Sequence, residues 1–118
     1  MSISASLTVV NKTGSLIKIT SCTHVNDDAT FSGISTGDTI DNGKDRKLKM
    51  GNNSFVLAPR GCGCDIQFIC QSNFDSGEIV FDDPAVGEHS FSFGNKNVFA
   101  YTVDGDSNSN YTVTINLV

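Results

Sequence analysis

The sequence predicts an all-β fold, a single-domain antiparallel β-sandwich of two sheets and about eight or nine strands over residues 1–118. Three observations carry that expectation. Apolar residues recur at every second position in short runs, which is the period of a half-buried strand. Clusters of Gly, Asn, Asp and Ser cut those runs, and these are the residues that make tight turns. Only 18% of the residues are charged, a composition that suits short strands and polar turns better than helices or a disordered polyelectrolyte. A length of 118 residues fits one domain built on one hydrophobic core.

In chain order, residues 5–11 (ASLTVVN) and 15–21 (SLIKITS) read as strands, and Lys12-Thr13-Gly14 between them as the turn of a first β-hairpin. Val9 beside Val10 and Leu16 beside Ile17 give apolar character to both faces, as in central strands. From Cys22 to Asn53 the alternation dissolves into a surface excursion punctuated by Asn42-Gly43, with weak strands expected around Thr30–Ile34 and Arg46–Met50. The run KDRKLK (44–49) holds four of the eight basic residues. It reads as an edge strand guarded by lysines, or else as a docking patch for an acidic partner or a phosphate. SFVLAP (54–59) is a strand that Pro59 ends, and the RGCGC turn follows.

The block from Asp65 to Val103 organises the rest, because seven of the ten aromatic residues fall in it. Ile66, Phe68 and Cys70 share one face, and Ile79 with Phe81, Phe91 with Phe93, and Phe99, Tyr101 and Val103 repeat the phase. Polar breaks separate these runs, so a phenylalanine-rich sheet face is expected. DGDSNSN (104–110) is a polar loop, and YTVTINLV closes the chain with Tyr111, Val113, Ile115 and Leu117 on one face.

Charge and motifs narrow the function. A net charge of −5 argues against nucleic acid, which rewards clustered cations, and against attachment driven by anionic lipid. No apolar run approaches the length of a transmembrane helix. The opening MSISASLTVVNKTG has neither a charged n-region nor a long apolar core. Cytoplasmic synthesis without a signal peptide is therefore expected, with any release by a non-classical route. In that compartment the four cysteines stay reduced; after export, three pairings are open. The two histidines, His24 and His89, stand outside any serine elbow, phosphate loop or HExxH motif. Asp82 and Asp83 precede Pro84 in a turn and do not form a spaced acid–base pair. The expectation is a protein that is not an enzyme, with no catalytic residues and no cofactor.

Two groups of residues carry metal-ligand chemistry, each beside a plainer role. Asp104, Asp106, Asn108 and Asn110 sit at every second position, as ligands do at the start of a calcium loop. The sixth place is Ser109 instead of Gly and the twelfth is Ile115 instead of Glu, so a plain hairpin loop is the favoured reading. Cys22, His24, Cys62, Cys64 and Cys70 contain a Cys₃His zinc set, but a CxC gap departs from zinc spacing. Cys70, in phase with Ile66 and Phe68, reads as a small buried hydrophobe. Of the four disulfide or redox candidates, Cys62 and Cys64, which flank Gly63 in the expected turn, come first. Sequons occur at Asn11, Asn52 and Asn110, and chance suffices to explain them in so Asn-rich a chain.

The succession IQFIC (66–70), a polar loop with Gly77, EIVFDDPAVG (78–87), a phenylalanine strand, GNKN (94–97) and FAYTV (99–103) resembles the aegerolysin pattern. LTVVNKTGSLIKI (7–19) is similar to that family's opening strands, and the likeness covers about two thirds of the chain in order. The family's tryptophan-rich motif is missing, and Phe93-Gly94 runs straight into the turn. The resemblance implies a small acidic sandwich that binds membrane lipids, often sphingolipid-containing, within a haemolysin-like or cytolysin system. Some members recruit a larger pore-forming partner. Exposed aromatics and turn polar groups would meet the headgroup, with Phe31, Phe74, Lys96 and Asn97 as candidates. Packing of Phe31 and Phe74 beneath loops is the other reading. Two further functions stay open: a lectin-like, glycan-binding module assisted by calcium, and a structural or storage protein that forms homo-oligomers through edge strands.

Overall fold

A computed structural model describes residues 2–25, 29–53, 61–84, 86–106 and 108–118. Among them every regular element is a β-strand: β1 (Ser2–Lys12), β2 (Ile17–His24), β3 (Thr30–Ser32), β4 (Thr39–Ile40), β5 (Asp45–Asn53), β6 (Cys62–Cys70), β7 (Ser76–Asp83), β8 (Ser90–Gly94), β9 (Phe99–Gly105) and β10 (Asn110–Leu117). They form two five-stranded sheets, ordered β3-β5-β1-β10-β9 and β4-β2-β6-β7-β8. The chain is thus the all-β two-sheet sandwich its alternation predicts.

The central block folds as expected, because tight turns join neighbours in space. β6, β7 and β8 form an antiparallel meander in continuous register from Cys62↔Asp83 to Glu78↔Gly94. Their inward residues Ile66, Phe68, Cys70, Ile79 and Phe81 are fully buried. Across from them lie Leu7, Val9, Phe99, Val113 and Ile115, also fully buried. The phase weakens on the flank of β8 and β9, where Phe91, Phe93 and Tyr101 are half-buried and Val103 is 39% exposed, and at the end of β10, where Leu117 is 42% exposed.

Four expectations need correction. β1 and β2 are not a hairpin: they belong to different sheets, and residues 13–16 carry the chain from one layer to the other. Both strands bury an alternate face, and those faces meet across the core instead of lying side by side. The sheets are not wholly antiparallel, because β1 pairs in parallel with β10 from Ser6↔Asn110 to Lys12↔Asn116. KDRKLK lies largely within β5, an interior strand between β3 and β1, although β3 covers only Lys49–Gly51. Lys47 and Lys49 face solvent there while Leu48 and Met50 fill the core. Cys62, Gly63 and Cys64 open strand β6 and are not a turn. The expected strand 54–59 lies outside the described residues.

Candidate functional site

One end of the sandwich gathers the links 13–16, 41–44, 71–75 and 95–98. A buried asparagine sets its base. The Nδ2 of Asn11 donates to the carbonyls of Ser15 and Ile40, each at 2.7 Å, and its Oδ1 accepts from the Thr13 N–H at 3.0 Å and the Thr13 hydroxyl at 2.7 Å. The adjacent turn is tied to it, since the Gly43 N–H donates to the Asn11 carbonyl at 2.6 Å.

Phe74 stands out from this base. The 71–75 turn is closed by bonds from the Phe74 N–H to the Cys70 carbonyl and from the Cys70 N–H to the Asp75 carbonyl, both 2.9 Å. Within it Phe74 takes a left-handed backbone, φ 57°, and is 78% exposed. Left-handed backbone is costly for a residue with a bulky Cβ substituent, so this turn holds the ring outward against a local preference. Phe74 is therefore not packed beneath a loop.

The 95–98 turn lies beside it. Asn95, also left-handed at φ 60°, donates from Nδ2 to the Ser76 carbonyl at 2.8 Å, and its own carbonyl accepts the N–H groups of Val98 and Phe99. That arrangement leaves Lys96 and Asn97 exposed at the tip. Val118, 79% exposed, joins the same end through its N–H bond to the Val98 carbonyl. Three of the four candidates, Phe74, Lys96 and Asn97, thus share one pole. Phe31 does not: on β3 it is half-buried, packed against the core, with its ring 4.3 Å from that of His24.

An aromatic seam leads away from the pole along the flank where β8 meets β9 and β10. Phe93 stacks on Tyr101 at 4.5 Å and 10°, Phe91 on Phe93 at 6.0 Å, and Tyr111 lies 5.5 Å from Phe91 and 4.7 Å from His89. At the pole end it opens into a cleft of about 350 Å³ lined by Phe93, Lys96, Phe99, Ala100, Tyr101 and Val118. Alternation placed Phe93 and Tyr101 on inward faces, but it could not show that rings from two different sheets would stack. The tight GNKN turn joining their strands was the available signal.

The remaining candidates sort differently. In the 104–110 loop the Asp106 carboxylate accepts the N–H groups of Asn108 and Asn110 at 2.8 and 3.1 Å and the Asn110 side chain at 3.2 Å, and those bonds hold its pKa low. Asn110 Oδ1 in turn accepts the Ser6 hydroxyl at 2.7 Å. These oxygens are spent on shaping the loop, which is hairpin chemistry. Beside it Asp104, Asp106, Asn110, Ser6, Thr8 and Lys47 line an open polar groove of about 370 Å³.

The cysteines carry thiols, not disulfides. Cys62, Cys64 and Cys70 are fully buried, so Cys62 and Cys64 lose their expected priority as reactive groups: their strand turns them into the core. Cys22 is partly buried, and burial, then Asp38 and Asp65, push its thiol up to about 11. Burial also raises Cys70, but hydrogen bonding to Ser15, Ser72 and Thr13 outweighs it and the thiol ends below its ordinary value. Among the described residues no three His, Cys, Asp or Glu side chains converge as metal ligands. Nor is any helix there long and apolar enough to cross a membrane.

Fold and site together define a class, the all-β two-sheet sandwich with an aromatic flank and one apolar-tipped pole. No family model matches the chain, and no curated protein does either.

Proposed function

We propose that this protein is a nonenzymatic, aegerolysin-type sandwich that binds a membrane lipid surface through the pole bearing Phe74, Lys96 and Asn97. The observation that carries the reading is Phe74, a phenylalanine held 78% exposed on a strained, hydrogen-bonded turn. An exposed ring on a rigid support loses little entropy when it enters the lipid interface. Lys96, at the same pole, can rest its methylenes on apolar surface and place its ammonium on a phosphate. Because the chain carries a net charge of −5, the target is a neutral or zwitterionic headgroup such as a sphingolipid's, not an anionic leaflet.

Burying a phenylalanine ring contributes about 1.5–3 kcal/mol, so its removal lowers partitioning by roughly tenfold or more. The test is co-sedimentation with vesicles of sphingomyelin, ceramide phosphoethanolamine or phosphatidylcholine. Binding to the sphingolipid vesicles is expected, weakened at least about tenfold in Phe74→Ala and unchanged in Phe31→Ala. Silent vesicles, or equal binding by Phe74→Ala, would refute the proposal. Silent vesicles with calcium-dependent signals on a glycan array would favour the lectin-like reading, for which the polar groove beside Asp104 and Asp106 is the natural seat.

A further inference from the structure

β9 is an edge strand whose one charged residue, Asp104, stands near its end. It runs seven residues, Phe99–Gly105, in unbroken register with β10, and contains no lysine, proline or bulge. Natural edges are normally blunted by one of these devices or by brevity. The edges on the other flank are blunted by brevity, β3 with three residues and β4 with two.

The hydrogen-bond phase shows which groups are left open. Residues of an antiparallel pair alternate between bonded and non-bonded positions. The bonds from the Asp106 N–H to the Asn110 carbonyl and from the Val118 N–H to the Val98 carbonyl bracket the β9–β10 ladder. They assign the even-numbered residues of β9 to β10 and turn the backbone of Tyr101, Val103 and Gly105 outward. Phe99 agrees, since its N–H points away from β10 to the Asn95 carbonyl. Among the described residues no partner meets the outward N–H groups of Tyr101, Val103 and Gly105. Residues 102–105 are exposed, and Val103 is 39% exposed although its side chain belongs to the inward phase.

We propose that a second copy of this chain pairs with β9, antiparallel about a two-fold axis at Thr102, joining the two five-stranded sheets into one. This goes beyond lipid binding and does not depend on it. Centring on Thr102 puts Tyr101 opposite the partner's Val103, an aromatic–β-branched pair of the kind that stabilises sheets. Their outward N–H and carbonyl groups then bond in both directions. Charge selects the same orientation. Asp104 and Asp106 lie at one end of β9 and Lys96 just before the other, so the two-fold sets acid beside lysine twice. A parallel pairing would set Asp104 against its own copy. The contact is isologous, closes on itself and forms no fibre.

The contact is small, so sedimentation equilibrium without lipid should show reversible dimerisation across about 10 μM to 1 mM. Val103→Pro removes an outward N–H while sparing every bond to β10. It should keep the melting temperature within a few degrees and weaken the dimer at least about tenfold. Thr102→Cys provides a covalent readout: Cα atoms of a non-bonded antiparallel pair lie about 4.5 Å apart, within disulfide reach. Under mild oxidation this variant should form a disulfide-linked dimer that the unaltered protein does not. A protein monomeric at the highest concentration, with no Thr102→Cys cross-link, overturns the proposal. So does a dimer that survives Val103→Pro and leaves Thr102→Cys uncross-linked.

Discussion

A single buried amide does more for this fold than its place in the sequence suggests. Asn11 has no exposed surface, yet both its donors and its carbonyl oxygen are satisfied within 3.0 Å, tying the end of β1 to the 13–16 link and to β4. It therefore stitches one sheet to the other at the crossover. In the sequence it reads only as a polar residue before a turn and as part of a sequon. Its burial makes glycosylation there incompatible with the fold. Asn11→Ala would strand the Ile40 carbonyl and the Thr13 N–H, while the Ser15 carbonyl keeps the Thr13 hydroxyl at 3.0 Å, and a stranded buried group costs about 1–3 kcal/mol. Urea unfolding of Asn11→Ala should show a loss of about 3 kcal/mol, and a loss below about 1 kcal/mol would show that water replaces the amide.

Between elements, Tyr101 links the sheets as Asn11 does, but on the aromatic flank. Its hydroxyl donates to the Gly94 carbonyl at 2.7 Å and accepts the Glu78 N–H at 3.3 Å, so a β9 side chain bonds both β8 and β7. Gly77 makes room for it, since a Cβ there would stand 2.5 Å from the Tyr101 hydroxyl. Tyr101→Phe should cost about 1–2 kcal/mol in thermal or urea unfolding, and Gly77→Ala more, because it displaces the ring as well. Equal stability for Tyr101→Phe would mean the bridge contributes nothing. The strands on either side of this bridge were legible because local turns join them and the period of two survives from Ile66 to Tyr101. The β1–β2 crossover was not legible. Alternation says which side chains face inward, but a turn such as Lys12-Thr13-Gly14 reads alike whether it joins neighbours or layers. The parallel β1–β10 pairing is equally silent, because it is made at a separation of about a hundred residues, as the Ser6–Asn110 hydrogen bond shows. Glycine in a CGC run suggests a turn at Cys62 and Cys64, whereas here Gly63 is a strand residue crowded by the Val25 carbonyl. Of the site, Phe74, Lys96 and Asn97 were visible as turn residues, while the stacking of Phe93 on Tyr101 needed the two sheets to be brought together.

For the molecule as a whole, acidity has a fixed consequence for stability. On the second sheet Asp65 and Glu78 sit on neighbouring strands, and Asp65 Oδ1 is shielded from solvent with no partner among the described residues. Burial first, then hydrogen bonding and repulsion from Glu78, raise the Asp65 carboxyl from 3.8 to about 6. Asp83 is raised too, mainly by burial. The sign follows from proton counting. Between pH 3.8 and about 6 the folded chain holds a proton on Asp65 that the unfolded chain has released. Stability must therefore fall as pH rises through that window and level off above it. Asp106, whose pKa is lowered by its loop hydrogen bonds, acts in the opposite sense at lower pH, so the difference from a variant is cleaner than the raw curve. Asp65→Asn keeps the shape without the charge. Its advantage over the unaltered protein, measured by urea unfolding at a series of pH values, should be smallest near pH 4 and grow to a plateau above about pH 6. Two parallel curves would show that Asp65 ionises as freely in the folded chain as in the unfolded one.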